Sequence, residues 1–574
     1  MLNSKQQKLI TKFLSEAKDL GVLDWAKKLM KEEPKAEVFL VGGAVRDCLL
    51  EKDTKDFDFV VRGISAKKLE KFLTKLGSVD LVGKNFGVFK FVPREWKREN
   101  IRLDALDVAL PRTEKSISHS GAYRDFKIQS DYHLPIKEDL SRRDFTINAL
   151  AIKVNFPSPF EGEGWGEVYN LNNKPLSISP LRKGRGTTAG FELVDEFDGL
   201  KDLAKGIIRT VGKPEERFKE DFSRMLRGIS LSCQLDFKLE TKTKNAIKKL
   251  MPKINKRLTI NDKRRVAKNS FIIPRETIAK EFLRALWEKP ARAFDLFDEL
   301  NVFKTLMPEV LKMKKCPQPK NYHSEGNVWQ HTRLCLEMLD SDLFQKRFKT
   351  PITKQIENDL AKKKCYDTEV ALAALLHDIA KPATFGWGKK NGKRKMQYYE
   401  HDVIGGQMAE KICERLKLSA PINIGVDAKN VRWLIKKHML IVGGKVSEMR
   451  QTKLEKYFLS EFFPGEKLLQ VVFDDAIGTI PAGKKIPQKN SDLKNWISLQ
   501  GFDIFLKRIK AIKKMGGQKN VRPAPILNGR EVMKILNLKP SKKVGEILEA
   551  LREAKLNGKI KNQTEAVEFI KNVK

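Results

Sequence analysis

The stretch that decides the fold is VFLVGGAVRDCLLEKDTKDFDFVV, residues 38–61. It begins with a short apolar run, Val38 to Val41, which is typical of a buried strand. The run stops at Gly42-Gly43, where the chain can turn tightly and a ligand can approach the backbone. The segment from Ala44 to Leu50 can form a short helix whose first N–H groups face that turn, an arrangement that suits phosphate. The sequence therefore predicts a strand, a glycine turn and a helix, with a phosphate site at the turn.

A second strand follows, in which Asp56 and Asp58 alternate with Phe57 and Phe59. Because side chains alternate between the two faces of a strand, the carboxylates share one face and the rings share the other. Adjacent carboxylates repel each other unless a cation lies between them. Mg²⁺ binds through one or two carboxylates together with substrate phosphates. The stretch therefore predicts a magnesium site beside the phosphate site; the alternative is a solvated strand after an ordinary glycine turn.

Length and charge set the broad class of protein. A chain of 574 residues is too long for a single core, so several domains are expected. Its 112 Lys and Arg outnumber its 73 Asp and Glu, which gives a net charge of +39. A surplus of this size attracts polyanions and favours a nucleic-acid partner.

The cysteines and the apolar runs bear on location. The six cysteines form no CxxC pair, which argues against a zinc ribbon or a disulfide framework and fits a reducing cytoplasm. The amphipathic N-terminus lacks the apolar core of a signal peptide. No uncharged apolar run approaches the ~20 residues that a membrane span needs. We expect a cytoplasmic protein without membrane association, and no obligate protein partner is evident.

The opening stretch resembles the first motif of the class II tRNA nucleotidyltransferase/poly(A) polymerase family. The resemblance is carried by GGAVRD (42–47) and by DFD (56–58), which begins ten residues after Arg46. It implies that Asp56 and Asp58 are catalytic and hold Mg²⁺. It also implies nucleotide contacts from the turn and the helix: Gly42, Gly43, Arg46 and Asp47.

Asp107 is a candidate third catalytic carboxylate. It lies in a strand-like run at 106–110, and in a sheet it could lie beside the first two carboxylates; by spacing alone an edge Asp with no role is the equal alternative. The family places an acidic residue before an Arg-containing strand end, here DVALPRTE (107–114). The pattern also predicts a helix at 67–76 and strands at 79–82 and 88–92. The polar, aperiodic run at 115–140 predicts a mobile loop.

The segment LSRRDFTINALAI (140–152) resembles the second motif of the family. A guanidinium group matches phosphate oxygens with two parallel hydrogen bonds, so an Arg pair suits a triphosphate. The resemblance implies that Arg143 contacts the nucleotide and that Asp144 and Asn148 shape its ribose side. Taken alone, the motif would also fit a salt-bridged helix start.

A third constellation, EDFSRMLR (220–227), suggests base selection. Asp221, Arg224 and Arg227 are spaced by three residues, which predicts one shared helix face. An Asp can accept from the exocyclic amine of cytosine or adenine while an Arg donates to the neighbouring ring nitrogen; uracil and guanine present a carbonyl instead. The segment resembles the family's EDxxRxxR motif, for which this role is proposed. Ser230 stands where the family often has another Arg, and a surface ion pair is the alternative.

The later histidines suggest a second site. HSEGNVWQHT, HDIAK, YYEHD, KKHM and FDDAIGT resemble, in this order, an HD-type metal-dependent phosphohydrolase domain. Inward-facing imidazoles and carboxylates on helices can chelate divalent metals and activate water. By analogy one metal would be held by His331, His377, Asp378 and Asp475, and a second would be completed by His401 and His438. Asp474 is the rival of Asp475, and an inactive HD scaffold remains an alternative.

The predicted fold is α+β: a nucleotidyltransferase head with a mixed sheet and helices, followed by an all-α neck, body, HD domain and tail. The predicted parts are an N-terminal helix (1–35), the head (36–155), a disordered insertion (156–190), a helical neck and body that bind RNA and nucleotide (191–315), the HD domain (316–480) and a helical tail (481–574). A basic helix is expected at 495–515.

The resemblance implies template-independent addition of CMP and AMP to the 3′ end of tRNA, with CTP, ATP and tRNA as partners and Mg²⁺ as cofactor. A second divalent metal would occupy the HD domain. Poly(A) polymerase and CC-only or A-only addition are alternatives; LVGKNFGVFKF (81–91) approaches the poly(A) polymerase pattern but has Asn85 in place of a basic residue. Another class of alternative is an HD phosphohydrolase with an RNA-binding head, and a third is a non-catalytic RNA-binding protein.

Overall fold

The computed structural model describes residues 2–572 except 55, 83–87, 99–102, 117–125, 156–190, 258–270, 349–363, 391, 441–447, 500 and 516–524. The predicted insertion at 156–190 lies outside the described residues. The chain divides into two compact units, Met1–Ile273 and Pro274–Lys574.

The first unit contains a mixed sheet with helices. Its strands are β1 (Glu37–Val41), β2 (Asp58–Arg62), β3 (Gly77–Val82), β4 (Val88–Pro93), β5 (Leu106–Ala109), β6 (Arg112–Ser116), β7 (Phe126–Ser130), β8 (Leu150–Val154), β9 (Phe191–Asp195), β10 (Ile207–Ile208) and β11 (Lys238–Leu239). Its helices are α1 (Ser4–Asp19), α2 (Asp24–Glu32), α3 (Gly43–Leu49), α4 (Ala66–Leu76), α5 (Arg94–Arg98), α6 (Ile136–Ser141), α7 (Gly199–Lys205), α8 (Pro214–Glu220), α9 (Ser223–Leu235) and α10 (Thr241–Leu250). Short 3₁₀ helices cover Thr146–Asn148 and Met251–Asn255.

The main sheet runs in the order β3-β4-β5-β2-β1-β8-β9. The β2–β5 pair is parallel and the other neighbours are antiparallel. Side chains alternate along the central strands, so both faces of the sheet are buried. On one face, Phe59 packs edge-on against Trp25 of α2, with 5.2 Å between ring centroids. On the other face, Val41 and Val60 pack with Leu140 of α6. The carboxyl end of β1 and the start of β2 therefore meet at the centre of a rigid sheet.

Three features of the first unit differ from the sequence-based expectations. The N-terminal helix is two helices, because the chain turns at Gly21 with a φ of 66°. The predicted loop at 115–140 includes the antiparallel ribbon of β6 and β7 and helix α6. The segment expected to begin the helical neck is β9, which pairs with β8 and extends the sheet beyond residue 155. Strand β9 is a short apolar run directly after a low-complexity stretch, so it offers too few residues to show the alternation of side chains that identifies a strand.

The second unit is mostly helical. Its helices are α11 (Arg275–Glu288), α12 (Pro290–Glu299), α13 (Val302–Leu306), α14 (Pro308–Leu311), α15 (Val328–Met338), α16 (Asp342–Phe348), α17 (Thr368–Leu376), α18 (Lys381–Thr384), α19 (His401–Leu416), α20 (Ala428–Lys437), α21 (Gln451–Phe458), α22 (Gly465–Gly478), α23 (Phe502–Met515), α24 (Gly529–Leu536), α25 (Lys542–Leu556) and α26 (Gln563–Asn572). Strands β12 (Phe385–Lys390) and β13 (Lys393–Tyr398) form a hairpin, and 3₁₀ helices cover Lys312–Lys315, His438–Leu440, Asn490–Leu493 and Ile497–Leu499.

The second unit corrects three further expectations. The HD region is not purely helical, because the hairpin of β12 and β13 interrupts it. Helix α11, expected in the neck and body, lies in this unit, where the Trp287 indole N–H donates to the Tyr366 carbonyl at 3.1 Å. The basic helix begins at Phe502 rather than Asn495, since Asn495 is left-handed with a φ of 62°.

The tail forms a small core of its own from α24, α25 and α26. Val532, Ile547, Leu551 and Ile570 are buried together there. Within the described residues no helix is both long enough and apolar enough to span a bilayer.

Candidate functional site

The strand register places two predicted catalytic carboxylates side by side in the head. Asp58 at the start of β2 is paired with Asp107 of β5, and Asp56 precedes Asp58 by two residues. Burial and the Asp56 carboxylate raise the pKa of Asp58 to about 6, while the Arg143 guanidinium partly offsets this rise. A cation bound next to Asp58 would favour its ionised form and oppose the repulsion from Asp56. The residues present therefore fit a divalent metal held by oxygen ligands.

Gly42 makes room for a close approach beside these carboxylates. Its φ is 78°, and a Cβ atom at this position would lie 2.6 Å from Nη1 of Arg143 and 3.7 Å from Oδ2 of Asp58. Both the conformation and the spacing require glycine. Helix α3 begins at the next residue, Gly43, so a helix follows the glycine turn as the sequence predicts.

Arg46 and Asp47, predicted as nucleotide contacts, are engaged with each other. Arg46 is buried, and its Nε and Nη2 atoms donate to the two Asp47 oxygens at 2.9 Å each. Its Nη1 atom donates to Oδ1 of Asn148 at 2.7 Å. Arg46 thus uses three of its donor nitrogens inside the protein. Its contact with Asn148 fixes the orientation of the Asn148 side chain.

Asn148 continues this network toward helix α9. Its amide donates to Oδ1 of Asp144 at 3.1 Å, and Nε of Arg227 lies 2.6 Å from Oδ2 of Asp144. Burial raises the pKa of Asp144, but the Arg227 guanidinium and the Asn148 amide outweigh burial and lower it. The structure therefore connects residues of all three nucleotide-binding motifs through one ionised carboxylate, Asp144.

Asp139 is a residue that the sequence analysis missed. Its carboxylate is fully buried and lies 2.7 Å from Nη2 of Arg142 and 3.3 Å from Nη2 of Arg143. Burial raises its pKa, and the two guanidinium groups outweigh that effect and lower it. Its position three and four residues before the Arg pair was the available signal. Asp139 holds Arg143 in place beside Gly42.

Lys90 is a second missed residue. Register pairs it with Asp107 across β4 and β5, and its Nζ atom lies 2.8 Å from Oδ1 of Asp107. The hydrogen bond to Asp107 raises the pKa of Lys90. Its period-2 position in β4 places it on the carboxylate face, but only the register identifies its partner.

The predicted shared helix face of Asp221, Arg224 and Arg227 is wrong, because Asp221 precedes the helix. It is extended, with φ −149° and ψ 108°, and its Oδ1 atom accepts from the backbone N–H of Ser223 at 2.8 Å. Burial raises its pKa. The Arg224 guanidinium lies 2.6 Å from the Glu220 carboxylate. Ser230 is buried in α9, and its hydroxyl donates to the Arg227 carbonyl at 3.2 Å.

Four side chains from three helical regions converge in the second unit. Nε2 of His331 lies 3.2 Å from Nε2 of His377 and 3.1 Å from Oδ1 of Asp475. The Cys335 thiol lies 3.5 Å from Nε2 of His331. These ligand atoms are all close enough to hold one metal ion. The geometry thus brings together three of the predicted ligands and adds a cysteine, one helical turn after His331, that the sequence analysis missed.

A second group surrounds Asp378. Its Oδ1 atom lies 3.6 Å from Nε2 of His401 and 3.9 Å from Nε2 of His438. The three atoms are buried and have no hydrogen-bond partner among the described residues. Because each histidine donates through Nδ1 to a carbonyl, of Tyr398 at 2.8 Å and of Ile435 at 2.6 Å, each Nε2 presents its lone pair. These unmatched acceptors fit a divalent cation.

The choice between Asp474 and Asp475 follows from geometry. Asp475 faces His331, whereas Asp474 is buried and its Oδ1 atom has no partner among the described residues. Burial raises the pKa of Asp474 well above its ordinary value, and the neighbouring Asp475 carboxylate raises it further. The geometry favours Asp475 as the ligand.

Glu325 and Lys381 were also missed in this unit. Glu325 accepts from Nδ1 of His323 at 2.7 Å and of His331 at 3.0 Å, which orients both rings. Nζ of Lys381 lies 2.6 Å from Oδ2 of Asp378 and donates to Gln318 at 2.7 Å. Both residues occur inside the quoted motifs, so proximity in sequence was the only available signal.

Comparison with known proteins matches three parts of the chain to family models. Residues 38–163 match the poly A polymerase head domain, residues 352–461 match the HD domain and residues 519–570 match a putative tRNA nucleotidyltransferase domain 2. In these three matches the chain is similar to the class II tRNA nucleotidyltransferase/poly(A) polymerase family. His331 and Asp475 lie outside the range that matches the HD domain.

Proteins similar to this chain carry related names. It is 27% identical over 383 residues to the multifunctional CCA protein of Nitrosococcus oceani, covering 67% of this chain and 70% of the relative. It is 25% identical over 449 residues to the A-adding tRNA nucleotidyltransferase of Deinococcus radiodurans, covering 77% and 81%. The CCA-adding enzyme of Bacillus stearothermophilus in complex with CTP has the same fold, with a TM-score of 0.54, 19% identity and 96% coverage of each chain.

Proposed function

We propose that this protein adds CMP and AMP to the 3′ end of tRNA, using CTP and ATP, and so completes the CCA terminus. The observation that carries the proposal is the group of three carboxylates at Gly42, with Arg143 beside it. The names of the relatives support the same reaction class. The free thiols of all six cysteines fit a reducing compartment, and we place the activity in the cytoplasm.

The reaction joins the 3′ oxygen of the tRNA to the α-phosphorus of the nucleotide and releases pyrophosphate. Mg²⁺, held by Asp56, Asp58 and Asp107, would lower the pKa of the attacking hydroxyl and neutralise the leaving phosphates. Arg143, fixed by Asp139, offers positive charge next to Gly42, where the polyphosphate can approach the backbone. The positive charge of Lys90 reduces the repulsion between the Asp107 carboxylate and the other two carboxylates.

Base selection is assigned to Asp221 and Arg224. Asp221 accepts from the Ser223 N–H through Oδ1, which leaves its second oxygen for a substrate amine. Arg224 donates to Glu220 and to the carbonyls of Arg217 and Arg142, and its guanidinium has five N–H donors in all, so it keeps donors for the base. Uracil and guanine would place a carbonyl against Asp221 and be rejected partly by repulsion. Asp221→Ala should therefore lower the preference for CTP and ATP over UTP and GTP about 100-fold, whereas Lys219→Ala, an exposed change on α8, should preserve it.

The decisive assay offers tRNA ending before CCA, after C or after CC, with each nucleoside triphosphate in turn. Full CCA addition predicts CMP incorporation on the first two acceptors and a single AMP on the third. Because the relatives include both a multifunctional CCA protein and an A-adding enzyme, exclusive AMP addition to the CC-ended acceptor would identify an A-adding enzyme. Open-ended A tails would overturn the proposal in favour of poly(A) polymerase.

We propose a second activity, metal-dependent phosphohydrolysis, for the second unit. The observation in its favour is a set of three buried acceptors, Oδ1 of Asp378 and Nε2 of His401 and of His438, which have no hydrogen-bond partner in the part of the chain that the structure describes. A divalent metal bound there would supply an activated water. Hydrolysis of bis(p-nitrophenyl) phosphate should disappear on chelation and return with Mn²⁺, Ni²⁺ or Co²⁺. Absence of hydrolysis with every metal would leave the unit as a scaffold.

A further inference from the structure

The hairpin of β12 and β13 carries charge of one sign and exposed aromatic rings. Between Phe385 and Tyr398 the sequence has five Lys or Arg and no Asp or Glu. Trp387 is 50% exposed, and Tyr399, directly after the hairpin, is 71% exposed. Large aromatic side chains at such exposure are unusual for a surface with no partner.

The two kinds of residue share one face of the hairpin. Register pairs Trp387 with Met396 and Lys389 with Arg394, and paired residues of an antiparallel ladder point to the same side. The Arg394 guanidinium lies over the Trp387 ring, 4.2 Å from its centroid. The same face continues to Phe385, whose ring centroid lies 5.8 Å from those of Trp387 and Tyr398. One face therefore joins an aromatic row to exposed cations.

The base of the hairpin touches the HD cluster, which comprises His331, His377, Asp378, His401, His438 and Asp475. The Tyr398 carbonyl accepts from Nδ1 of His401 at 2.8 Å, and the Tyr398 hydroxyl donates to the Pro317 carbonyl. Nζ of Lys381, which pairs with Asp378, lies 5.5 Å from the centroid of the Tyr398 ring. The aromatic face thus extends from the exposed Trp387 to Tyr398, which contacts His401 and Lys381 at the HD cluster.

We propose that this face, defined by Trp387, Lys389 and Arg394, is a docking surface that holds single-stranded RNA at the HD cluster. Exposed lysine and arginine match a phosphate backbone, and an exposed tryptophan with an arginine on its ring offers a stacking platform for a base. A duplex would hide its base faces and leave Trp387 without a role, so a single strand fits better than a duplex. An acidic peptide would satisfy the cations but would supply no flat ring for Trp387.

The test uses the full-length protein and a twelve-nucleotide single-stranded RNA carrying 4-thiouridine. After irradiation, mass spectrometry should locate crosslinks in residues 385–399. The Trp387→Ala variant and the Lys389→Glu/Arg394→Glu variant should each lower the crosslink yield about tenfold. Crosslinks confined to other peptides would overturn the proposal, as would equal competition by a polyglutamate peptide.

A second measurement asks whether the docked strand reaches the cluster. The RNA should inhibit hydrolysis of bis(p-nitrophenyl) phosphate, and the half-inhibitory concentration should rise about tenfold in both variants while hydrolysis without RNA is unchanged. Inhibition that is identical in wild type and variants would overturn the link to the cluster. Only this arm rests on the proposed phosphohydrolase: a protein without hydrolysis would contradict that function, and crosslinking would still decide on the docking surface.

Lys507→Glu/Lys510→Glu is the matched control. It makes the same change of four charges on the exposed side of α23, in the same unit. Crosslink yield at the hairpin and inhibition by RNA should match those of wild type. An equal loss in this control would show that net charge alone attracts the RNA, and would overturn the assignment to the hairpin face.

Discussion

The two candidate metal sites of this protein are built on different principles. In the head, Asp56 is exposed and Asp58 and Asp107 are half-buried. All the candidate ligands are oxygens, two of them on the neighbouring strands β2 and β5 and the third, from Asp56, just before β2. In the second unit, His377, Asp378 and His438 are each about 1% exposed, and nitrogen ligands dominate. The head site leaves room for substrate phosphates to complete the metal's coordination, whereas the HD cluster supplies most ligands itself.

The difference follows from the supporting elements. Neighbouring strands present side chains in a row along one face, so carboxylates at a strand end stay open to a large polyanionic substrate. Helices that pack side by side enclose the side chains between them, so the histidines are desolvated and need a cation to match their lone pairs. The open carboxylate site of the head therefore suits a tRNA end and a triphosphate. The enclosed site of the second unit suits a metal ion that is bound before a substrate for hydrolysis arrives.

The largest expected effect separates the two activities. Asp58→Ala should reduce CMP incorporation by on the order of 10³-fold or more, because it removes a central metal ligand. Hydrolysis by the second unit should be unchanged. Primer extension on tRNA and a chromogenic diester assay on the same preparation measure both. Asp80→Ala, an exposed change on β3, is the control, and nucleotide transfer that survives Asp58→Ala would refute the head assignment.

The reciprocal variant is Asp378→Asn. Loss of the central carboxylate should weaken metal binding to the second unit about 100-fold or more, since His401 and His438 lose the charge that faces them. Titration calorimetry with Mn²⁺ measures the affinity, with Asp402→Asn as a neighbouring acidic control on α19. CMP incorporation should be retained; a parallel loss would mean that the two sites are not functionally separate.

A smaller effect tests the dependence of the HD cluster on its supporting residues. Glu325→Gln should lower metal affinity about 10- to 100-fold, because the neutral amide orients His331 less firmly than the carboxylate does. Burial raises the pKa of Glu325, but hydrogen bonds from His323 and His331 lower it to about 2, so the residue is ionised at neutral pH. Glu337→Gln, an exposed change on α15, the helix that carries His331, should have no effect on calorimetric titrations.

The smallest effect concerns stability without metal. The folded pKa of Asp58, about 6, lies above its ordinary value of 3.8, so its ionised form destabilises the folded state as the pH rises through this window. In EDTA at pH 8, Asp58→Asn should raise Tm by about 2–4 °C. The difference should shrink as the pH falls from 6 toward 4. A difference that grows with acidification would show that Asp58 is stabilised by partners rather than strained by repulsion.

Much of the head could be predicted because its signals are local. The apolar run Val38 to Val41, the glycine turn and the alternating aspartates each predict an element from spacing alone, and the strands at 79–82, 88–92 and 106–110 agree with β3, β4 and β5. One failure depended on a partner strand elsewhere in the chain, and the other on a hydrogen bond between residues two apart. Strand β9 is short, and its pairing with β8 identifies it; Asp221 leaves the helix because its carboxylate caps the Ser223 N–H.

The sequence by itself determined the chemistry that the protein can perform. Its glycine turn, paired aspartates, arginine pair and ordered histidines supply the groups that phosphate and divalent metals require, and their order along the chain indicates the family. The tertiary structure decided which of those groups face one another. Only the register sets Asp107 beside Asp58, only burial makes Arg46 an internal support, and only helix packing leaves Asp378, His401 and His438 with unmatched lone pairs. Side-chain identity is local, whereas register, burial and desolvation depend on residues far away in the sequence.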